Sequence, residues 1–139
     1  MRPVTKEMIK IYNIKKFDFM GYDIKRKESL SFHHLIIPRR KSEEFGIGDG
    51  YYIWNGALLV QKTSHNYLHL IEQKDYEIFC RITSEMIDQN IKGRLDIENL
   101  KKIKDLLLYF ERENEDLRDK KGKLLIKNEF VKDRFNWGK

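Results

Sequence analysis

The chain contains a single cysteine, Cys80, among its 139 residues. One thiol cannot form an internal disulfide, and it cannot supply the four thiolates of a structural zinc site. No apolar run approaches the ~18 residues that a membrane-spanning helix needs, and the first residues, MRPVTKEMIKIYNIKKF, lack the apolar core of a signal peptide. Internal repeats and low-complexity segments are also absent. We therefore expect a cytoplasmic protein in a reducing compartment, without membrane association.

Positive charge is concentrated in the N-terminal third of the chain. Residues 1–41 carry 11 Lys and Arg against 4 Asp and Glu, whereas residues 42–110 carry 8 against 11. The net charge of the whole chain is +6. A basic lobe of this kind fits a polyanionic partner such as a nucleic acid, and a lysine-rich solvated surface is the alternative.

Two strands separated by a long loop are predicted in the first half of the chain. Residues 28–37 alternate between apolar and polar side chains, which is the pattern of a half-buried strand. Residues 38–56 begin with a proline and contain four glycines, so they predict a loop. A loop of this length in a compact domain is usually functional or disordered. Residues 57–62, ALLVQK, predict a second short apolar strand.

Three helices are predicted after the second strand. The first covers residues 63–73, with Thr63 or Ser64 as its N-cap, and the second covers residues 76–91. The third is a strongly amphipathic helix that begins after a capping Asp96. Its apolar positions recur every three or four residues: Ile97, Leu100, Ile103, Leu107 and Phe110.

We expect one α+β domain over residues 1–121, followed by a charged tail at 122–139. An aromatic-rich segment at 11–24, which turns at Gly21, precedes the first strand. The helices at 75–121 are expected to cover the core with their Ile and Leu side chains. A dimer surface on these helices is the alternative.

All four histidines fall between residues 33 and 69. His65 and His69 are four positions apart on a predicted helix, so both imidazoles project from one face and suit one metal ion. His33 and His34 end a predicted strand, whose alternation directs them to opposite faces. If strand and helix pack together, one of this pair completes a three-nitrogen site with open positions, and the other is free to act as a base. Partly exposed histidines without a ligand are the alternative.

The order of these residues resembles the HNH endonuclease family of ββα-metal nucleases. FHHLIIPRR, a glycine-containing loop, NGALL and SHNYLH follow one another in this chain. The family pattern has a strand that ends in His-His, often followed by Ile-Ile-Pro-Arg, then an asparagine beside a short strand, then a helix with metal-binding histidines. The match covers residues 28–72, about a third of the chain. It implies a ββα-metal motif within the α+β fold.

The resemblance implies a role for each matched residue. His34 corresponds to the general base that activates water, and Asn55 to the central asparagine that orients the base, with Asn66 as the poorer alternative. Basic side chains after the proline correspond to phosphate contacts, and ordinary solvated charge is the alternative for Arg39, Arg40 and Lys41. The ligands of one divalent metal ion would be His33, His65 and His69.

The chain departs from the family pattern in its lack of cysteine pairs. Many members carry two C-x-x-C pairs that bind a structural zinc ion. Phe17 and Met20 stand where the first pair would be, and Val60 and Ser64 stand where the second would be. We therefore expect no structural zinc, and the aromatic N-terminal segment and the C-terminal helices must supply the core.

The implied activity is metal-dependent hydrolysis of DNA, by nicking or double-strand cleavage. A neutral imidazole can accept a proton near neutral pH, and imidazole ligands suit zinc, nickel or manganese, while the family also uses magnesium. Alternatives are a metal-dependent RNase and a non-catalytic module that binds nucleic acid or protein. Tyr51, Tyr52 and Trp54 could stack on bases or bury in a core. The richness in Ile, Lys and Asn points to a bacterial or phage-encoded protein.

Overall fold

The computed structural model describes residues 1–114. Within this range the chain is a mixed fold of five α-helices and a two-stranded antiparallel sheet, which confirms the α+β class. The predicted tail at 122–139 and the end of the predicted domain lie outside the described residues. The elements follow in the order α1 (Pro3–Ile11), β1 (Leu30–His34), α2 (Arg39–Ser42), β2 (Gly56–Val60), α3 (Asn66–Lys74), α4 (Tyr76–Lys92) and α5 (Ile97–Glu113).

Most elements lie where the sequence pattern predicts them. The capping of α5 by Asp96 is confirmed, since its carboxylate accepts the backbone amide hydrogens of Glu98 and Asn99. The predicted N-cap at Thr63 or Ser64 is wrong, because a π-helical turn runs over Gln61–His65 and leads into α3 without a side-chain cap. Neither α1 nor the single turn of α2 inside the long loop is predicted from the sequence.

The sheet places β1 at an open edge. His34 pairs with Gly56, and the ring of Phe32 lies so close to this glycine that a Cβ there would come within 2.2 Å of it. The outer edge of β2 is covered by the N-terminal segment, in which the backbone amide of Phe19 donates to the carbonyl of Leu58 at 3.1 Å. Within the described residues β1 pairs only with β2, and three of its five side chains are buried: Leu30, Phe32 and His33.

A buried carboxylate joins the N-terminal segment to the start of the histidine-bearing helix. Asp18 is fully buried, and its Oδ1 accepts the backbone amide hydrogens of Met20 and Tyr22. Its Oδ2 accepts the backbone amide hydrogen of Val60 at 2.9 Å and the hydroxyl hydrogen of Ser64. Ser64 lies inside the π-helical turn, which begins at Gln61, and so it does not occupy the N-cap position of α3.

The helices α4 and α5 cover the sheet and also hold its loops. Asn90 of α4 donates its amide hydrogens to the carbonyls of Ile53 and Gly56 at 2.8 and 2.6 Å. Gln89, fully buried, donates to the carbonyl of Phe19 at 2.8 Å. The predicted apolar stripe of α5 is confirmed as core, because four of its members are buried: Leu100, Ile103, Leu107 and Phe110.

No helix in the described part of the chain combines the length and the apolar character that crossing a membrane requires.

Candidate active site

Strand β1 and helix α3 bring three of the four imidazoles into one cluster. His33 lies on β1, His65 ends the π-helical turn, and His69 lies one helical turn further along α3. One ring nitrogen from each residue lies within 4.8 Å of the other two. The rings of His65 and His69 are stacked at 4.8 Å, and His33 meets both edge-on. Nitrogens bound to one zinc ion lie about 3.3 Å apart, so small side-chain rotations suffice for these three to hold a metal ion.

The surroundings of the buried His33 ring indicate whether a metal ion fits the cluster. Its Nε2 is shielded from solvent and has no hydrogen-bond partner in the described part of the chain. A buried polar atom left without a partner costs about 1–3 kcal/mol. A metal ion bound to this nitrogen would remove that cost, so the donor set fits a metal centre.

The remaining two rings each have a polar partner on the outer side, a hydrogen-bonded hydroxyl for His65 and a nearby carboxylate for His69. Nδ1 of His65 lies 2.6 Å from Oγ of Ser31, whose own hydrogen is donated to the carbonyl of Leu59. Nδ1 of His65 must therefore be the protonated nitrogen, and Nε2 keeps its lone pair. Nδ1 of His69 lies 3.5 Å from the carboxylate of Glu72, which favours the same tautomer. Such partners raise the basicity of metal-ligating histidines and fix their orientation.

The imidazoles of His33 and His65 are both neutral near pH 7. The pKa of His33 is lowered from 6.5 to about 3, first by burial and then by the neighbouring rings of His65, His69 and His34. The pKa of His65 is lowered to about 4 by burial and by the rings of His69 and His34. Because a metal binds the neutral imidazole, His33 and His65 can bind a cation without first losing protons.

His34 lies on the opposite face of β1 from His33, as the strand alternation predicts. Its Nε2 is 2.8 Å from the backbone carbonyl of Asp49, and its ring meets the ring of Tyr51 at 4.8 Å. A carbonyl oxygen can only accept, so in neutral His34 the proton resides on Nε2 and the lone pair on Nδ1. A Cβ at Gly50 would lie 2.9 Å from Cδ2 of His34, which shows how closely the loop backbone approaches this ring.

Asn55 ties together the two ends of the long loop. It is fully buried at the start of β2, and its Oδ1 accepts the backbone amide hydrogens of Ile36 and Ile37 at 3.0 and 2.8 Å. Its Nδ2 donates to the carbonyls of Ile37 and Gly50 at 3.0 and 3.1 Å. Because Gly50 follows the residue whose carbonyl holds His34, Asn55 fixes the loop that positions this imidazole.

The three basic residues after the proline occupy the exposed surface of α2. Only Arg39 reaches the site, since its Nη1 donates to the hydroxyl of Tyr51 at 3.4 Å. The side chains of Arg40 and Lys41 form no hydrogen bond or ion pair within residues 1–114. Arg2 precedes the motif in the sequence, and its guanidinium carbon lies 3.8 Å from the ring centroid of Tyr51.

The three aromatic residues before Asn55 differ in exposure: Tyr51 is half-buried, whereas Tyr52 and Trp54 are exposed. Tyr51 is half-buried against Phe32 and His34. Tyr52 and Trp54 are 48% and 45% exposed, and their rings stack on each other at 6.0 Å. Burial in a core is therefore wrong for these two residues, and stacking on bases stays a prediction.

Several residues at the site were not identified from the sequence. Ser31 stands two positions before His33 on the same strand face, and Glu72 stands three positions after His69 on the helix. The strand and helix periodicities could therefore have placed both residues beside the histidines. No sequence pattern indicated three other groups, because only the folded chain brings them close to the site: the carbonyl of Asp49, the carboxylate of Asp18 and the guanidinium of Arg2.

The described geometry thus contains a cluster of three imidazoles and a fourth imidazole held separately by a loop carbonyl. No protein-family model, no curated protein and no solved structure matches this chain.

Proposed function

We propose that this protein is a metal-dependent endonuclease that hydrolyses phosphodiester bonds in DNA, with His34 as the general base. One observation carries the proposal. Three imidazoles cluster on one face of β1, where Nε2 of His33 is buried without a partner among the described residues, and a fourth imidazole on the other face is oriented by a loop carbonyl. The HNH resemblance of residues 28–72 supports the same activity, because it assigns metal binding and proton abstraction to the same four histidines.

A single divalent ion held by His33, His65 and His69 is the cofactor in this proposal. Three protein ligands leave coordination positions for water and substrate, which is the pattern of catalytic sites. Nitrogen ligands favour zinc, nickel or manganese over magnesium. When bound, such an ion would polarise a phosphoryl oxygen and stabilise the leaving oxygen.

His34 is suited to take a proton from water through its Nδ1. The Asp49 carbonyl engages Nε2–H, so the free lone pair and the ring orientation are both defined. The same carbonyl would stabilise the imidazolium that forms once the proton has been accepted. Asn55 acts through the loop rather than by contact with the substrate, and is therefore a positioning residue.

DNA as the substrate is supported by the charge distribution and by Arg39 beside the site. The N-terminal third carries most of the basic excess, and a guanidinium pairs well with phosphate oxygens. These contacts do not distinguish deoxyribose from ribose, so single-stranded RNA is a necessary parallel substrate in the test.

The test is a plasmid-nicking assay with Mg²⁺, Mn²⁺, Zn²⁺ or Ni²⁺, run with and without EDTA. We expect conversion of supercoiled to relaxed or linear DNA that requires metal and stops with EDTA. Calorimetry with His69→Ala should show metal affinity at least tenfold weaker than wild type. Metal-independent binding to DNA without cleavage would instead favour the non-catalytic alternative, and cleavage of RNA alone would favour the RNase.

A further inference from the structure

Two arginines beside the candidate site share one aromatic ring. The guanidinium carbon of Arg2 lies 3.8 Å from the ring centroid of Tyr51, and that of Arg39 lies 5.5 Å from it. Neither arginine takes part in an ion pair within residues 1–114. Guanidinium groups stack on aromatic faces and keep their donors free for a planar anion. Neither guanidinium has a carboxylate partner within residues 1–114. The Asp49 carboxylate accepts the backbone amide hydrogen of Tyr51 at 3.3 Å, so the positive charge beside the ring is partly compensated.

Tyr51 connects these arginines to the proposed base. Its ring centroid is 4.8 Å from that of His34 and 4.9 Å from that of Phe32. It belongs to the loop whose Asp49 carbonyl holds His34. The arginines therefore stand one side chain away from the imidazole that would activate water.

A groove of about 700 Å³ is lined by Arg2 and by one candidate metal ligand, His65. Tyr51 and Ser31 also line it, whereas Arg39 does not. The one acidic residue in its lining is Glu28, whose carboxylate lies 4.0 Å from Arg26. The groove thus brings a positive side chain and a candidate metal ligand to one surface.

We propose that Arg2, together with Arg39, binds a backbone phosphate of the substrate strand next to the phosphodiester that is cleaved. The strand then lies in the groove that Tyr51 and His65 line. This inference rests on the proposed nuclease function and adds to it a phosphate contact from Arg2, which precedes helix α1 and lies outside the HNH-like residues. Its ligand is a nucleic-acid phosphate, and the bases do not enter the recognition.

The test measures binding of a short fluorescein-labelled DNA duplex by anisotropy, in EDTA and at several salt concentrations. Arg2→Gln and Arg39→Gln are compared with wild type and with Arg81→Gln, a matched control on α4 in a groove that none of the site residues lines. We expect each site variant to bind about three- to tenfold more weakly and to lower the salt slope by about one. Arg2→Lys should retain part of the affinity, and Arg81→Gln should match wild type.

Two outcomes separate this inference from the proposed function. An affinity and a salt slope of Arg2→Gln equal to those of wild type would overturn the phosphate site, even if the wild-type protein cleaves DNA. A second outcome is that the wild-type protein cleaves no nucleic acid with any metal, while its DNA binding still depends on Arg2. This outcome would overturn the proposed nuclease function and would support the phosphate site. Thermal denaturation of each variant verifies that the exposed substitutions leave the fold intact.

Discussion

The carboxylate of Asp18 accepts the hydroxyl hydrogen of Ser64 across 46 residues of sequence. The same carboxylate accepts the backbone amide hydrogen of Val60. The buried carboxylate thus joins the N-terminal segment to the turn from which His65 projects, and it positions that turn.

Asp18 should make stability depend on pH in a recognisable direction. Burial raises its pKa from 3.8 to about 6, and the four hydrogen bonds that it accepts only partly oppose this effect. The folded state therefore binds the proton more tightly than the unfolded state does. The contribution of Asp18 is fully present below pH 3.8 and is lost as the pH rises to about 6.

The measurement is urea denaturation of wild type and Asp18→Asn across this pH range. We expect the stability advantage of wild type over the variant to shrink by an amount on the order of 3 kcal/mol as the pH rises. Other titrating groups are common to both proteins and cancel in the difference. A constant difference between the two proteins would show that the pKa of Asp18 does not differ between the folded and the unfolded state.

His34→Ala should abolish cleavage while leaving the fold and the metal site in place. His34 lies on the face of β1 away from the cluster, so its removal does not take a ligand from the metal. Loss of a general base costs about 10²- to 10⁴-fold in rate. Plasmid nicking gives the rate and calorimetry gives the metal affinity. Cleavage at the wild-type rate would remove His34 from the role of base.

Gly50→Ala should impair cleavage by displacing His34. A Cβ at Gly50 would lie 2.9 Å from Cδ2 of His34 and 2.3 Å from Oγ of Ser42, at a φ of +80°. Gly48→Ala is the matched control, since Gly48 also has a positive φ of +61° but no atom within 4 Å of the added Cβ. We expect the rate to fall at least tenfold more for Gly50→Ala, with metal affinity unchanged in both. Equal rates for the two variants would show that backbone strain in the loop, and not displacement of His34, causes the loss of activity.

Asn55→Ala should lower both stability and activity. The substitution leaves two backbone amides and two carbonyls without their partner, and unpaired buried polar groups cost about 1–3 kcal/mol each. Because water reaches some of these groups once the loop loosens, we expect a net loss of about 2–4 kcal/mol in the free energy of unfolding. Urea denaturation measures this loss. A fully folded variant that cleaves normally would show that the loop does not need Asn55 to hold His34.

Ser31→Ala should weaken metal binding without removing a ligand. The hydroxyl of Ser31 fixes the tautomer of His65, and loss of such a partner typically costs 10- to 100-fold in metal affinity. Ser29→Ala is the control, because Ser29 is nearby but bonds only to the carbonyl of Arg26. Calorimetry with Zn²⁺ compares the two. Equal affinities for both variants and wild type would show that His65 is oriented by packing alone.

The sequence predicted the elements that depend on local periodicity. The alternation in β1 placed His33 and His34 on opposite faces, and the four-residue spacing placed His65 and His69 on one face of a helix. The α5 stripe and its Asp96 cap follow from similarly local rules. The cap at Thr63 or Ser64 failed because the π-helical turn begins at Gln61 and places both residues inside the helical run.

The sequence by itself determined which residue types and periodicities were available: four imidazoles, two faces of a strand and one face of a helix. Only the tertiary structure decided that β1 packs against α3, which gathers three rings and leaves Nε2 of His33 buried without a partner. It also decided that Asn55 and Asp49 hold His34, and that Arg2 meets Tyr51. The physical reason is that periodicity acts over a few residues, whereas these contacts join residues from distant parts of the chain.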